Sequence, residues 1–269
     1  MILSFPFLTA SFDADARAFI NTSGATDRAA INHFVKAVKR LGLWSSMVCW
    51  PLRSSQNAGT GSTAYSLGGL GTYNGTLVNG PTWGADGITF ASASSQRIET
   101  IDVSTLSSEL NSGIAAISNI HGQAGTGQFI FGNRTVFGVN SRGIGIGTDF
   151  TPQVRLRSST SKTSIGNVLT LSTSSGFNYY SIFSDGVNNQ GRRNSESMGS
   201  LGAAMTGTTN AGENSILSMA ANPQPNTLFY EYYATGTVSF AIFLRSSTSN
   251  DSAIYNLVKS TLGQGLGLP

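Results

Sequence analysis

Residues 67–99 read LGGLGTYNGTLVNGPTWGADGITFASASSQRIE and contain two short β segments bracketed by Gly, Asn and Pro. These three residue types favour the turns at which strands end. Far downstream, GTVSFAIFLRSS (residues 236–247) leads into a helical stretch that ends IYNLVKSTLG. Short early strands closed by a distant strand and a helix predict a mainly β fold, an antiparallel jelly-roll β-sandwich.

The composition agrees with a single β domain. The 269-residue chain is 11% charged and 10% aromatic. Its charge lies well below the roughly 25% usual in globular proteins, which argues against a helical bundle. Its aromatic content argues against disorder. We therefore expect residues 51–269 to form the sandwich and residues 1–50 to form an N-terminal arm with a short helical appendage.

β segments recur at short intervals with turn residues between them, which favours a sandwich over a parallel α/β sheet. We predict strands at residues 75–78, 87–91, 97–102, 114–120, 128–132, 136–140, 143–148, 153–158, 168–172, 177–184 and 226–232. Asp185-Gly186 predicts a hairpin turn, because this dipeptide tolerates positive φ. The segment at 236–244 is apolar on both faces, which predicts a central strand.

Three short helices frame the strands. Ser11 and Asp13 can cap a helix that runs to about Ile20, and a stronger amphipathic helix follows Thr26 and stops at Gly42. A C-terminal helix, capped by Ser249 or Asn250, stops at Gly263. Each is too short to be stable alone, so each must pack on the sheet or on another subunit.

The reactive residue types are few. Cys49 is the single cysteine and lies in an apolar run, which predicts a buried, inert thiol. Without a Cys or His cluster we expect no metal site and no cofactor. Oxygens of Asp185, Asn188 and Asn189 could hold calcium, but this composition is also that of a hairpin turn, which we favour.

Charge and hydropathy argue against two classes of partner. The net charge of +3 is dispersed rather than clustered, so we expect no nucleic-acid binding. The N-terminus lacks a basic leader and a long apolar core, and no stretch reaches the length of a membrane span. We therefore predict a protein made in a cytoplasm that does not enter a membrane.

The sequence predicts no catalytic residues. Glycosidases that use this sandwich place paired carboxylates on one face of a strand. Here Glu99 and Asp102 come nearest, but their odd spacing points them to opposite faces. We expect a protein that is not an enzyme, with a glycan hydrolase kept as an alternative.

Aromatic residues are the candidates for stacking on a sugar ring. They are Trp44, Trp50, Trp83, Tyr65, Tyr73 and the cluster at residues 230–233. A tryptophan next to a proline or in a strand usually belongs to the core. Tyr232 and Tyr233 are the preferred ligand-binding residues, because neighbouring strand residues face opposite ways and both cannot be interior.

Residues 73–77, 81–83 and 87–90 together resemble the opening of concanavalin-A-like or laminin-G-like jelly rolls. Residues 181–186, and the strand at 236–245 with Ala253, Ile254 and Tyr255, look like the middle and end of that family. The resemblance covers roughly residues 65–260. The flanks DADARAFI (13–20), AINHFVKAVKRLGLW (30–44) and YNLVKSTLGQGLGLP (255–269) resemble segments that frame such domains in proteins of tailed bacteriophages.

This resemblance implies a non-enzymatic bacteriophage virion protein, of the capsid surface, tail or fibre, located in the virion. Its expected partners are other virion proteins and further copies of itself, with a host surface glycan as a further candidate. The apolar N-terminal arm would dock on neighbouring subunits through Ile2, Leu3, Phe5, Phe7 and Leu8. The alternative is a carbohydrate-binding receptor-recognition module of a phage fibre.

Overall fold

The computed structural model describes residues 11–102, 114–118, 128–132, 143–148, 153–159, 167–172, 176–184, 188–203, 216–223, 230–231, 233–244 and 251–269. The helices in these ranges are α1 (Ala14–Ser23), α2 (Arg28–Arg40) and α3 (Asp251–Ser260). The strands are β1 (Met47–Pro51), β2 (Thr63–Ala64), β3 (Gly75–Val78), β4 (Thr82–Trp83), β5 (Ile88–Phe90), β6 (Arg97–Asp102), β7 (Ile114–Ser118), β8 (Gln128–Gly132), β9 (Gly143–Thr148), β10 (Gln153–Ser159), β11 (Asn167–Ser172), β12 (Asn178–Ser184), β13 (Asn188–Arg193), β14 (Glu196–Ala203), β15 (Ile216–Met219), β16 (Asn222–Pro223), β17 (Tyr230–Glu231) and β18 (Gly236–Leu244).

The described strands form two eight-stranded sheets and a two-stranded ribbon, β16-β17. The first sheet has the order β14-β13-β12-β7-β18-β5-β4, with β1 also paired to β18. The second has the order β11-β10-β9-β8-β15-β6-β3-β2. Each pairing between these strands is antiparallel. The predicted mainly β, antiparallel architecture is confirmed.

The two sheets share one apolar core. Alternate residues of β1, β12 and β18 contribute Trp50, Ile182 and Phe243 to it, and the second sheet contributes Phe131 and Met219. All five are 2% exposed or less. The alternation of side chains along each strand places these residues on the face that meets the other sheet.

The three helices cover the opposite face of the first sheet. Phe34 and Val38 of α2 belong to a second buried cluster with Cys49, Phe240 and Ile242 of the sheet. β18 is therefore buried on both faces, since its residues from Val238 onward are all buried. The prediction that this strand is central is confirmed, and the helices form a third layer on the sheet.

Buried polar contacts attach α3 to the first sheet. Asp251, at the start of α3, is 1% exposed. Its Oδ1 accepts hydrogen bonds from Tyr179 Oη at 2.9 Å and Ser181 Oγ at 2.7 Å. Its Oδ2 lies 3.8 Å from Arg192 Nε, and neither of these two atoms makes a hydrogen bond within the described part of the chain. Burial raises the pKa of the Asp251 carboxyl, although the two hydroxyl donors and the Arg192 charge act to lower it.

Most predicted elements occur with small shifts at their ends. α1 begins after Asp13, whose carboxylate accepts from the backbone N–H groups of Asp15 and Ala16, and it ends three residues beyond the predicted Ile20. β12 and β13 form the predicted hairpin. Its turn at 185–187 and the predicted strand at 136–140 lie outside the described residues.

Several strands of the structure were not among those predicted. β1 is a continuous apolar run with no alternation, which is typical of a strand buried on both faces. β13 reads NNQGRR and carries almost no apolar signal, so the sequence indicated it only as the second arm of the predicted hairpin. β1 pairs with β18 and so belongs to the first sheet. The division of the chain at residue 50 stays a prediction.

Candidate functional site

A pocket of about 240 Å³ opens between α1 and the segment from residue 65 to residue 74. Its aromatic lining residues are Phe19, Trp44 and Tyr65, and its polar lining residues are Asp15, Thr22, Ser66, Thr72 and Asn74. The residues of α1 that face it recur at helical spacing, which places them on one side of the helix. The pocket thus combines aromatic side chains with residues that carry hydroxyl, amide and carboxylate groups.

Asn57 holds the backbone of Tyr65 in place. It is 1% exposed and makes hydrogen bonds with both sides of its amide group. Its Nδ2 donates to the carbonyls of Pro51 (2.7 Å) and Tyr65 (2.8 Å), and its Oδ1 accepts from the N–H of Tyr65 (3.0 Å) and Ala58 (2.8 Å). Tyr65 is therefore positioned by a buried side chain before any ligand arrives.

The rest of this segment is attached to β1 and to the turn before it. Leu67 and Cys49 exchange two backbone hydrogen bonds of 2.7 Å, and the N–H of Gly69 donates to the Trp44 carbonyl at 2.9 Å. Gly68 has a φ of +151°, and a Cβ there would lie 2.1 Å from the Met47 carbonyl oxygen. Only glycine fits this close approach.

Side-chain hydrogen bonds order the far end of the segment. Asn74 Oδ1 accepts from the N–H of Ser66 at 3.0 Å and from its hydroxyl at 3.3 Å. Ser66 Oγ in turn accepts from the N–H of Tyr73 at 2.7 Å. Asn74 lines the pocket, and no group of the described residues accepts a hydrogen bond from its Nδ2.

Lys39 of α2 organises the opposite rim. Its Nζ lies 2.6 Å from Asp15 Oδ2, 2.8 Å from Asp13 Oδ1 and 5.2 Å from the ring centroid of Trp44. One face of the indole thus meets an ammonium group. The ion pair uses one oxygen of Asp15 and leaves Oδ1 for other donors.

The charges at this rim stabilise one another. Burial acts to raise the pKa of Asp13, but the hydrogen bonds from Lys39, Asp15 and Ala16 outweigh it, so the pKa of that carboxyl is lowered. For Lys39, burial acts to lower the pKa, and the two carboxylates outweigh it and raise that pKa. Asp13 and Lys39 are therefore both charged near neutral pH.

Of the predicted site residues, the structure describes Tyr233. Tyr233 is partly buried and does not line the pocket, while Tyr232 lies outside the described residues. The N-terminal arm with Ile2, Leu3, Phe5, Phe7 and Leu8 also lies outside them. Neither set has been tested, so both stay predictions. Among the other aromatic candidates, the structure brings Trp44 and Tyr65 together.

The remaining tryptophans serve the fold. Trp50 is fully buried, and its Nε1 donates to the Tyr73 carbonyl at 2.7 Å. Trp83 packs on the sandwich core and donates to the Gly61 carbonyl at 3.1 Å. Sequence spacing could not have paired Trp44 with Tyr65, because their meeting depends on the attachment of the 65–74 segment to β1.

Other chemistry is sparse in the described part of the chain. Cys49 is fully buried, as predicted, and burial raises the pKa of its thiol well above the ordinary value. The residues that the structure describes contain no group of three or more His, Cys, Asp or Glu side chains placed to hold a metal ion. None of the described helices has the length and apolar character needed to span a membrane.

No protein-family model matches this sequence, and the comparison with curated proteins gives no match. Solved structures do resemble it. A mutant of Trypanosoma rangeli sialidase displaying trans-sialidase activity matches with a TM-score of 0.56 at 11% identity, over 87% of this chain and 37% of its own. T. rangeli sialidase in complex with a 2,3-difluoro-KDN ligand matches with a TM-score of 0.52 at 11% identity, over 87% and 39%. The chain thus spans well under half of these sialidases.

A third match is domain 4 of AbnA, a GH43 extracellular arabinanase from Geobacillus stearothermophilus, in complex with arabinotriose. Its TM-score is 0.41 at 12% identity, over 78% of this chain and 87% of that domain. At these identities, the two sialidase matches show a shared fold. The structure and these matches together establish a mainly β, antiparallel sandwich.

The prediction of a bacteriophage virion structural protein is wrong. Solved structures that share the fold over most of the chain include sialidases with sugar-acid ligands or trans-sialidase activity. The carbohydrate-binding alternative accounts for these neighbours better. The resemblance to phage proteins through the flanking segments stays a prediction.

Proposed function

We propose that this chain is a glycan-binding module whose binding site is the pocket between α1 and residues 65–74. The observation that carries the proposal is the meeting of Trp44 and Tyr65 in one pocket with Asp15, Ser66 and Asn74. A sugar ring has apolar C–H faces and a rim of hydroxyls. Aromatic faces suit the former, and carboxylate, hydroxyl and amide groups suit the latter.

The size and rigidity of the pocket support a small ligand. Its volume of about 240 Å³ is below the roughly 300–1,000 Å³ of sites for drug-sized molecules. One or two sugar units at the end of a glycan would fill it. The buried Asn57 fixes Tyr65 and lowers the entropy cost of binding, because the wall of the pocket is already ordered.

We propose that the module binds glycans without cleaving them. Most glycosidases need two carboxyl groups across the scissile bond. Asp15 is the one acidic residue among the described residues that line the pocket, and its neighbour Asp13 is engaged as the cap of α1.

We also propose that the sandwich is a jelly roll, which is supported by the antiparallel order that places β18 between β5 and β7.

Substitution of Trp44 by Leu tests the site. Leucine keeps an apolar side chain but has no ring face, so we expect sugar affinity to fall by about ten-fold or more. The measurement is a ¹H–¹⁵N NMR titration with neutral mono- and disaccharides. Each of the three tryptophans contributes an indole N–H signal, and the signal lost in the variant identifies Trp44.

Trp83→Leu is the matched control. Trp83 is also partly buried but packs on the sandwich core, away from the pocket. The Trp83→Leu variant should keep the sugar affinity of the wild type, and its free energy of unfolding should fall. Saturable binding that survives in Trp44→Leu, or wild-type signals that do not respond to any sugar, would contradict the proposed site.

A further inference from the structure

The charges around the pocket bear on which sugars it accepts. Asp15 lines the pocket, and none of the described lining residues is basic. Lys39 Nζ, which contacts the lining residue Asp15, is shared between the carboxylates of Asp13 and Asp15 at 2.8 and 2.6 Å. Two carboxylates and one ammonium leave this rim with one net negative charge.

The N-terminus of α1, which would otherwise attract an anion, is also occupied. The carboxylate of Asp13 accepts from the N–H groups of Asp15 at 2.9 Å and of Ala16 at 3.5 Å. An acidic sugar would therefore find neither a free basic side chain nor a free helix N-terminus at this rim. It would instead meet the second oxygen of Asp15 at short range.

A neutral sugar fits the same groups well. Asp15 Oδ1 can accept from a sugar hydroxyl, since the ion pair with Lys39 uses Oδ2. Asn74 Nδ2 can donate to a hydroxyl or ring oxygen across the pocket. These two groups provide an acceptor and a donor for an uncharged polyol.

From these contacts we infer that the pocket selects neutral sugars and rejects those that carry a carboxylate. Asp15 is the residue that discriminates, because its negative charge faces the ligand. This inference rests on the proposed glycan site and specifies its ligand class. It separates this chain from the structural neighbours solved with sialic-acid-type ligands, with which it shares a fold.

The test uses two sugar pairs that differ only in the oxidation of C6 to a carboxylate, and a third pair that differs by one added sialic acid unit. Wild-type protein is titrated with D-galactose and D-galacturonic acid, with D-glucose and D-glucuronic acid, and with lactose and 3′-sialyllactose. For each pair in which binding is detected, we expect the neutral sugar to bind at least about ten-fold more tightly than the acidic one. Added salt should reduce the difference in affinity between the two members of a pair, because it screens the repulsion between Asp15 and the sugar carboxylate.

Asp15→Asn is the diagnostic variant. The amide keeps the shape and an acceptor oxygen but removes the negative charge, so the discrimination between the members of a pair should shrink by about ten-fold. Asp86→Asn is the matched control, since Asp86 is exposed and lies outside the pocket. Asp86→Asn should leave the discrimination between neutral and acidic sugars unchanged.

The outcomes separate the two proposals. Equal or tighter binding of the acidic sugars, lost in Trp44→Leu, would overturn the inference and leave the glycan site standing. Discrimination that persists unchanged in Asp15→Asn would also overturn it. The absence of any response to all six sugars would overturn the proposed function, and the inference with it.

Discussion

Two aspartates at helix N-termini have opposite environments in this protein. Asp13 caps α1 at the partly exposed rim of the pocket, where Lys39 and two backbone N–H groups stabilise its charge. Asp251 begins α3 where the helix layer meets the first sheet, and it is 1% exposed. Its carboxyl group has two hydroxyl donors and lies 3.8 Å from Arg192 Nε. The pKa of Asp13 is lowered and that of Asp251 is raised. Burial, and not residue type, separates a charged carboxylate that caps a helix at an open rim from a carboxyl group that attaches a helix to the sheet.

The largest effect is expected at the buried aspartate. Asp251→Ala should lower the free energy of unfolding by about 3 kcal/mol, because it leaves the buried hydroxyls of Tyr179 and Ser181 without an acceptor. Urea denaturation followed by circular dichroism measures this. The exposed Asp86→Ala should change stability by less than about 0.5 kcal/mol. A similar loss in both variants would remove the distinction between buried and exposed carboxylates.

A smaller loss is expected at the rim. Asp13→Ala should cost about 1 kcal/mol, the usual effect of removing a helix cap. Asp13→Asn should recover most of this, because the amide oxygen can still accept from the N–H groups of Asp15 and Ala16. Thermal and urea unfolding of the two variants separate the cap from the ion pair with Lys39. An Asn variant as unstable as the Ala variant would assign the effect to the charge.

The pH dependence should have opposite signs at the two sites. The folded pKa of Asp251 lies above the ordinary 3.8, so its contribution to stability is full below that value and is lost as pH rises through the folded pKa. Asp251→Asn should therefore gain stability relative to wild type as pH rises. The pKa of Asp13 is lowered, so its contribution is present above 3.8 and is lost as pH falls through the folded pKa.

Asp13→Asn should accordingly approach wild-type stability as the solution becomes acidic. Urea midpoints for wild type and both Asn variants, measured from pH 3 to pH 8 as an experimental range, test the two slopes together. If the stability difference between each Asn variant and wild type changed with pH in the same direction at both sites, the environment of Asp13 or of Asp251 would be wrongly assigned.

The smallest effect is expected at the exposed cation. Lys39→Met should cost about 0.5 kcal/mol, since a partly exposed ion pair contributes little. Arg192→Met should cost more, because it leaves the buried Asp251 without its positive partner. Parallel denaturation curves measure the difference. A greater loss in Lys39→Met than in Arg192→Met would reverse the comparison.

Much of the fold was predictable because its signals are local. Alternation and turn residues marked β3, β6 and β9 with their observed bounds. Helical spacing marked α2, whose buried residues are Ile31, Phe34, Val35 and Val38. β1 was missed because a strand between two cores has no alternation, and β13, which has almost no apolar residues, was indicated only by the hairpin turn before it.

The candidate site was less predictable. Trp44 and Tyr65 were among the aromatic candidates, but the preference went to Tyr232 and Tyr233, whose role remains untested. No spacing rule links a tryptophan before β1 to a tyrosine 21 positions later. Their meeting requires Gly68 to approach β1 and Asn57 to hold the Tyr65 backbone, and both contacts are made only in the folded chain.

The sequence by itself determined which segments become strands and helices and which faces are apolar, because hydrophobic periodicity and capping act over a few residues. The tertiary structure alone decided that the helices cover the first sheet, that Asp251 is buried while Asp15 is open, and that two aromatic rings share one pocket. These outcomes depend on contacts between residues far apart in the chain. The local sequence pattern does not specify such contacts, because the burial and the partners of each residue are set only when the layers pack.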